Sequence, residues 1–121
     1  MRIGELARRG GTTTRALRYY EEQGLLRPAR TSNGYREYDE ESPRRVHQIR
    51  ALLEAGFNSR TVAQLLPCAH GAPPSIELCP SVVAAMRATL DRIESDIAAL
   101  TGNRAAVSAL LTAGEPAAVH G

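Results

Sequence analysis

Two cysteines and one histidine have the most distinctive chemistry in this sequence: Cys68, His70 and Cys79 lie in the segment PCAHGAPPSIELC. Thiolates and imidazoles bind soft metal ions, so these residues could hold Zn(II) or Cu(I) with a fourth ligand from a partner subunit or water. Alternatively, the two thiols could form a reversible disulfide that stiffens the linker, and the predicted helix start beside Cys79 should lower the pKa of that thiol and make it reactive. Both could also be ordinary small buried residues. Their spacing matches no strong zinc template, and the three interpretations stay open.

A second group of residues, between Thr12 and Tyr38, has the chemistry of nucleic-acid binding. Ala16, Leu17 and Tyr20 have the core spacing of a short helix, with Thr12 as N-cap and Gly24 as a left-handed stop. The remaining faces of that helix carry polar, basic and aromatic side chains, namely Thr13, Thr14, Arg15, Arg18 and Tyr19. The helix therefore predicts a surface that contacts bases or phosphates of duplex DNA.

A β-hairpin is predicted directly after this helix. Asn33-Gly34 is the strongest short-range hairpin signal, and Tyr35, Arg36 and Tyr38 follow it on the outgoing strand. A basic, aromatic hairpin beside such a helix is typical of DNA-binding domains, in which the hairpin acts as a wing.

Short helices are expected to position these residues. Ile3 to Arg9 forms an amphipathic helix, and Gly10-Gly11 turns into the helix described above, which predicts a helix-turn-helix. A third helix is capped by Asp39 or Ser42, and a fourth by Asn58. Their polar faces carry arginines that could reach phosphates: Arg44, Arg45, Arg50 and Arg60.

Charge is segregated along the chain. Residues 1–60 hold twelve arginines and eight acidic residues, whereas residues 61–121 hold three arginines and five acidic residues. A basic front half and an acidic back half favour an N-terminal nucleic-acid surface and a C-terminal segment with another role.

The back half has a heptad pattern. Apolar residues recur at alternating steps of three and four, interrupted only by Arg104: Val83, Met86, Leu90, Ile93, Ile97, Leu100, Val107 and Leu111. A helix over 81–111 would be roughly 45 Å long and too long to bury its seam on a small domain. The pattern therefore predicts a dimerisation helix, although Gly102-Asn103 could bend or end it.

The blocks IGELA, TRALRYYEEQGLL, NGYREY and IRALLEAGF resemble, in order and spacing, the MerR family of bacterial transcription regulators across residues 3–66. This resemblance implies a winged helix-turn-helix and an antiparallel pair of dimerisation helices. It also implies a dimer that bends and untwists a promoter with an over-long spacer, so that RNA polymerase can engage it. By motif match, Arg18, Tyr19, Tyr35 and Arg36 should contact DNA.

The resemblance also bears on the cysteines. Metal-sensing members place one cysteine where Cys79 stands and add a cysteine pair after the dimerisation helix, and iron–sulfur members carry four cysteines. Residues 112–121 hold no cysteine. The linker between the two predicted regions remains the natural place for an effector, because a change there would alter the angle between DNA-binding domains.

The sequence thus predicts a mainly α-helical, cytoplasmic, homodimeric regulator that binds promoter DNA, is not an enzyme and does not associate with a membrane. Its predicted regions are a DNA-binding domain (1–66), a linker (67–80), a dimerisation helix (81–111) and a flexible tail (112–121). Two other functions are also compatible with parts of the sequence. One is an architectural DNA-binding protein or recombination directionality factor, and the other is a metal or thiol buffer.

Overall fold

Two short helices separated by a glycine turn begin the chain in the computed structural model, which describes residues 1–30 and 34–117. Helix α1 spans Ile3–Arg9 and helix α2 spans Thr14–Glu22, as the predicted helix-turn-helix requires. The predicted cap at Thr12 is wrong by one residue. The N–H of Thr12 donates to Ala7 O at 2.9 Å and keeps Thr12 in the turn. Thr13 is the N-cap instead, and its Oγ1 accepts from the N–H of Ala16 at 3.1 Å.

The predicted hairpin follows α2. Gly24 ends the helix region with a φ of 73°, a left-handed conformation that glycine adopts without strain. Strands β1 (Ala29–Arg30) and β2 (Arg36–Glu37) pair antiparallel, with Ala29 opposite Glu37. The outgoing strand is shorter than predicted, since Tyr35 precedes it and Tyr38 follows it. The predicted turn residue Asn33 lies outside the described residues.

Helices α3 (Ser42–Glu54) and α4 (Ser59–Leu65) complete the N-terminal part. Neither Asp39 nor Ser42 is the N-cap of α3, because Glu41 occupies that position. Asp39 still stabilises the helix start, since its Oδ1 accepts from the N–H of Glu41 at 3.0 Å and the Ser42 hydroxyl at 3.2 Å. At α4 the prediction is confirmed, with Asn58 Oδ1 accepting from the N–H of Thr61 at 2.9 Å.

The core of this part forms where the apolar faces of the helices meet. Its most buried side chains come from all four helices: Leu6, Leu17, Val46, Ile49, Val62 and Leu65. The turn between α1 and α2 lies directly on α3, since a Cβ at Gly10 would stand 2.6 Å from Val46 Cγ1. A side chain at position 10 would push α1 and α2 away from α3. Gly10 therefore allows these two helices to pack closely on α3.

The predicted linker contains secondary structure that the sequence did not indicate. A 3₁₀ turn (Leu66–Cys68) leads into a second hairpin of β3 (Ala69–His70) and β4 (Ser75–Ile76). The buried Gln48 of α3 donates from Nε2 to Gly71 O at 3.0 Å and fastens this hairpin to the helix.

The last helix, α5, spans Pro80–Ala113, longer than the predicted range of 81–111. It continues through Gly102 and Asn103 without the break that these residues suggested, and it includes Thr112 and Ala113 of the predicted tail. Among the described residues, none of the helices combines the length and apolarity that crossing a membrane requires.

The chain divides into two compact units, Met1–Ala85 and Met86–Gly121. In the first unit, Val82 on the first turn of α5 is buried, a contact that the heptad pattern did not include. In the second unit, the seam residues Met86 and Ile93 are half-buried, and the others are exposed: Leu90, Ile97, Leu100, Val107 and Leu111.

Candidate nucleic-acid interface

The outer face of α2 carries most of the predicted DNA-binding residues. Leu17 and Tyr20 are buried and fix the helix on the core, so Arg15, Arg18 and Tyr19 face outward. These three residues are exposed. Thr14 is half-buried at the start of the helix, and Thr13 is exposed while its hydroxyl caps the helix. A helix with its arginines outward and its N-cap satisfied has the form of a DNA-recognition helix.

Tyr19 connects α2 with the start of α4. Its hydroxyl lies 3.0 Å from Ser59 Oγ, and the side chain is 45% exposed. The hydroxyl of Tyr19 is therefore held by α4, while almost half of the side chain is exposed at the surface of the domain. Arg60, the next residue of α4, is also exposed.

The hairpin β1–β2, here called the wing, is joined to α2 through Glu21. Arg36 Nη1 lies 2.7 Å from Glu21 Oε2, and the Tyr38 hydroxyl donates to Glu21 Oε1. Burial of Tyr38, reinforced by the hydrogen bond to Glu21 and the charge of that carboxylate, raises the pKa of the Tyr38 hydroxyl. The motif predicts Arg36 as a DNA contact, but no sequence pattern indicates its ion pair with Glu21.

Tyr35 is 55% exposed beside the wing, as a surface residue should be. The Arg2 guanidinium carbon lies 4.6 Å from the centre of its ring, a cation–π contact. Arg2 was not among the predicted site residues. Its position near the chain start, outside any recognisable motif, gave no signal for it.

A cavity of about 470 Å³ lies between α2 and the wing. Three arginines line it, Arg18, Arg27 and Arg36, together with Glu21 and Glu22. The structure thus brings together two predicted arginines and adds Arg27, which the sequence analysis missed. Its place between GLL and Pro28, in the connection from helix to wing, is the signal that could have indicated it.

The remaining arginines divide into surface and structural groups. Arg44 is exposed and lies 3.5 Å from Glu41. Arg50 donates to Gly10 O at 2.9 Å and Arg45 donates to Leu66 O at 3.3 Å, so both hold backbone segments together. The expectation that Arg45 and Arg50 could reach phosphates is therefore weakened, because their guanidinium groups already stabilise the fold.

The two thiols lie together, although Cys68 and Cys79 stand on opposite sides of the second hairpin in sequence. Each thiol lies close enough to the other to shift its pKa, and the Glu77 N–H donates to Cys68 O at 2.8 Å. Partial burial, with the neighbouring Cys79 and Glu77, raises the pKa of Cys68. The Ser81 hydroxyl, 3.3 Å from the sulfur of Cys79, lowers the pKa of Cys79, with backbone N–H groups adding to the effect.

His70 does not join the thiols. Its Nε2 lies 3.5 Å from Glu77 Oε2. Within residues 1–30 and 34–117, no three His, Cys, Asp or Glu side chains converge to form a metal-binding group. The predicted set of Cys68, His70 and Cys79 is thus reduced to a pair of thiols, and a soft metal would need further ligands from outside the described chain.

The helix-turn-helix, the adjoining wing and the basic cavity between them define a winged helix-turn-helix protein. The model of the MerR HTH family regulatory proteins matches residues 1–68, more than half of the chain. The chain belongs to the MerR family, whose members are transcription regulators rather than enzymes.

Individual relatives agree with this assignment. Nodulation protein NolA of Bradyrhizobium elkanii is 43% identical over 101 residues, 83% of this chain and 42% of NolA. The mercuric resistance operon regulatory protein of Bacillus cereus is 42% identical over 66 residues, 54% of this chain and 50% of that protein. The chain therefore spans about half the length of the curated relatives it matches.

A solved structure has a similar fold. The transcription regulator PbrR691 from Ralstonia metallidurans CH34, crystallised in complex with lead(II), has a TM-score of 0.80 at 27% identity. The match covers 98% of this chain and 91% of PbrR691. The predicted mainly helical fold with a small two-stranded sheet and a long C-terminal helix is confirmed.

Proposed function

We propose that this chain regulates transcription by binding a specific promoter sequence, with α2 in the major groove and the wing on the flanking backbone. The observation that carries this proposal is the cavity between α2 and the wing, lined by Arg18, Arg27 and Arg36. Guanidinium groups bind phosphates and guanine edges with matched geometry. Tyr19, Tyr35, Arg44 and Arg60 extend the same proposed surface, with Arg2 added by its contact to Tyr35.

The test is the substitution Arg18→Ala. It should weaken binding to a promoter duplex by on the order of tenfold and reduce the steepness with which affinity falls as salt is added. Fluorescence anisotropy titrations at several salt concentrations measure both quantities. Arg87→Ala removes the same charge from an exposed α5 residue that belongs neither to the proposed surface nor to the seam, and it should change neither quantity. An isotherm insensitive to Arg18→Ala and to salt would remove the DNA-binding function.

The second part of the proposal is that the active form is a homodimer held by α5. Leu90, Ile97 and Leu100 lie on the predicted seam and are 52%, 57% and 66% exposed. Apolar side chains in such a regular row are typical of a helix that pairs with a second copy. The family supports an antiparallel pair, which places two copies of α2 on a two-fold symmetric site.

The third part is that the dimer distorts promoter DNA. Two recognition helices at a fixed separation can bind both half-sites of an over-long spacer while bending and untwisting it. RNA polymerase then engages both promoter elements. Support for this step comes from membership of the MerR family and from the two-fold arrangement that a paired α5 implies.

The effector is proposed to act at the thiol pair Cys68–Cys79. These thiols flank the second hairpin, which Gln48 fastens to α3, so a change at the sulfurs is coupled to the DNA-binding unit. An oxidant such as a hydroperoxide suits two adjacent thiols better than a metal, because within residues 1–30 and 34–117 no third His, Cys, Asp or Glu side chain completes a metal-binding group with them. A soft metal remains the alternative if a second copy supplies the missing ligands.

The oxidation would proceed in two balanced steps. The Cys79 thiolate attacks a peroxide oxygen, the O–O bond breaks, and the leaving oxygen departs as hydroxide or alkoxide to give a sulfenic acid. The Cys68 thiol then attacks that sulfur, the S–O bond breaks and water leaves, giving the disulfide. The two thiols lose two electrons in total, which the peroxide accepts.

A further inference from the structure

Glu21 of α2 bonds both Arg36 of the wing and Tyr38, the residue directly after β2. One carboxylate oxygen, Oε2, lies 2.7 Å from Arg36 Nη1, and the other, Oε1, accepts the Tyr38 hydroxyl. The Glu21 side chain is only 11% exposed, whereas that of Arg36 is 55% exposed. A largely buried carboxylate thus pairs with a guanidinium that faces solvent.

The carboxylate is itself held firmly. Tyr38 is 2% exposed, and its backbone pairs with the first residue of the chain. The Tyr38 N–H donates to Met1 O at 2.7 Å, and the Met1 amino group donates to Tyr38 O at 2.7 Å. Because Tyr38 is fixed in this way, its hydroxyl orients the Glu21 carboxylate. The other carboxylate oxygen, Oε2, then faces the guanidinium of Arg36.

We propose that Glu21 is a positioning residue for DNA binding, which holds the Arg36 guanidinium at the edge of the cavity between α2 and the wing. The inference rests on the DNA-binding function proposed above and adds a role to a residue that bears the same charge as DNA. Arginine carries five N–H donors, so the contact with Glu21 leaves others available to a backbone phosphate. A guanidinium that is already oriented loses less side-chain entropy when the phosphate binds.

Two physical effects of Glu21 on DNA binding have opposite signs. As a carboxylate close to phosphates, it repels DNA, and its neutralisation should tighten binding. As a support for Arg36, it pre-orients a phosphate ligand, and its loss should weaken binding. The sign of the change on neutralising Glu21 therefore decides between a bystander and a positioning residue.

The experiment compares Glu21→Gln with Glu22→Gln. Glu22 is the adjacent glutamate of α2, is exposed and borders the same cavity, so its substitution removes the same charge. The probe is a duplex enriched from a random-sequence library by the wild-type chain of 121 residues, and one duplex serves all variants. Glu21→Gln should weaken binding by roughly three- to tenfold, whereas Glu22→Gln should leave it unchanged or tighten it.

A double-mutant cycle with Arg36→Ala shows whether Glu21 acts through Arg36. In the Arg36→Ala background, Glu21→Gln should no longer weaken binding, because there is no guanidinium left to orient. Thermal unfolding of each variant and the variant Tyr38→Phe control for the fold. Tyr38→Phe removes the other bond of Glu21 without removing the ion pair, so it should weaken DNA binding less than Glu21→Gln does.

Tighter or unchanged binding by Glu21→Gln, with wild-type binding still dependent on Arg18, would overturn the positioning role and leave the proposed function intact. The same conclusion follows if Glu21→Gln weakens binding equally with and without Arg36. Failure of the wild-type chain to enrich any duplex overturns the proposed function itself, and the role of Glu21 with it.

Discussion

Tyr38 shows how a single side chain couples the wing to the rest of the domain. Its hydroxyl is buried against Glu21, and the resulting rise of the Tyr38 pKa means that the folded domain keeps this phenol protonated at pH values where an unfolded chain loses the proton. The folded state therefore holds this proton more tightly than the unfolded state does. As a consequence, the free energy of unfolding depends on pH in the alkaline range.

The pH dependence has a definite sign. Below the unfolded tyrosine pKa of about 10, Tyr38 is protonated in both states and its contribution to stability is complete. Above it, the unfolded chain releases the proton first, so the free energy of unfolding falls as pH rises. Urea unfolding at pH values below and above 10 should show this fall, and Tyr38→Phe should reduce it. An equal fall in both proteins would assign the effect to other groups.

The two thiols are predicted to differ in reactivity, because hydrogen bonds lower the pKa of Cys79 while partial burial raises that of Cys68. Near neutral pH, Cys79 should therefore react faster with iodoacetamide. Ser81→Ala should slow the reaction of Cys79, since it removes the hydroxyl that favours the thiolate. Peptide mass spectrometry measures both rates. The control is Ser75→Ala, because the Ser75 hydroxyl donates to His70 O and not to a thiol. This substitution should change neither rate.

The regulatory role of the thiols has a separate test. Cys79→Ser should leave promoter binding intact and abolish the response of transcription to a hydroperoxide, because no sulfenic acid can form at that position. In vitro transcription with and without peroxide measures the response. A Cys79→Ser protein that still responds would show that the effector acts elsewhere.

At the scale of elements, the sequence predicted what local rules determine. Apolar periodicity located the five helices of the described residues, and the α4 cap at Asn58 and the turn at Gly24 followed from backbone geometry. The N-cap at Thr13 was missed because Thr12 and Thr13 are equally good caps, and only the contact of Thr12 with Ala7 decides between them.

Long-range contacts account for what the sequence could not predict. Arg50 and Arg45 donate to backbone carbonyls of distant segments, and no local pattern separates them from the exposed Arg44. The second hairpin depends on the side chain of Gln48, twenty-three positions before Gly71. The ion pair of Arg36 with Glu21 likewise joins elements far apart in sequence, so the motif indicated the residue but not its partner.

The dimerisation prediction belongs to α5 and can be tested on its proposed seam. Ile97→Asp would place a charge in the apolar interface and should weaken the dimer by on the order of 100-fold or more. Ala98→Asp is the matched control, because it adds the same residue one position away from the seam. Analytical ultracentrifugation measures both. Equal dissociation constants for the two variants would show that Ile97 is not part of the interface.

At the scale of the whole molecule, the chain combines two kinds of surface. The first unit, Met1–Ala85, carries the basic cavity and the thiol pair, and the second, Met86–Gly121, carries exposed apolar residues at regular spacing. If the second unit pairs with another copy, one molecule contributes one recognition helix, one thiol pair and half of an interface. Promoter distortion is then a property of the dimer that no single chain possesses.

Promoter distortion predicts a dependence on spacer length. Each added base pair turns the two promoter elements apart by roughly 35°, since one helical turn holds about 10 base pairs. On the promoter upstream of its own gene, the dimer with effector should activate transcription and should produce a two-fold symmetric footprint across the spacer.

Shortening that spacer to the length RNA polymerase uses unaided should give high transcription without the protein, and the protein should then repress or have no effect. In vitro transcription on the two templates measures this reversal. An architectural or recombination protein would leave the ratio of transcription from the two promoters unchanged. That result would contradict activation by distortion and would leave DNA binding itself intact.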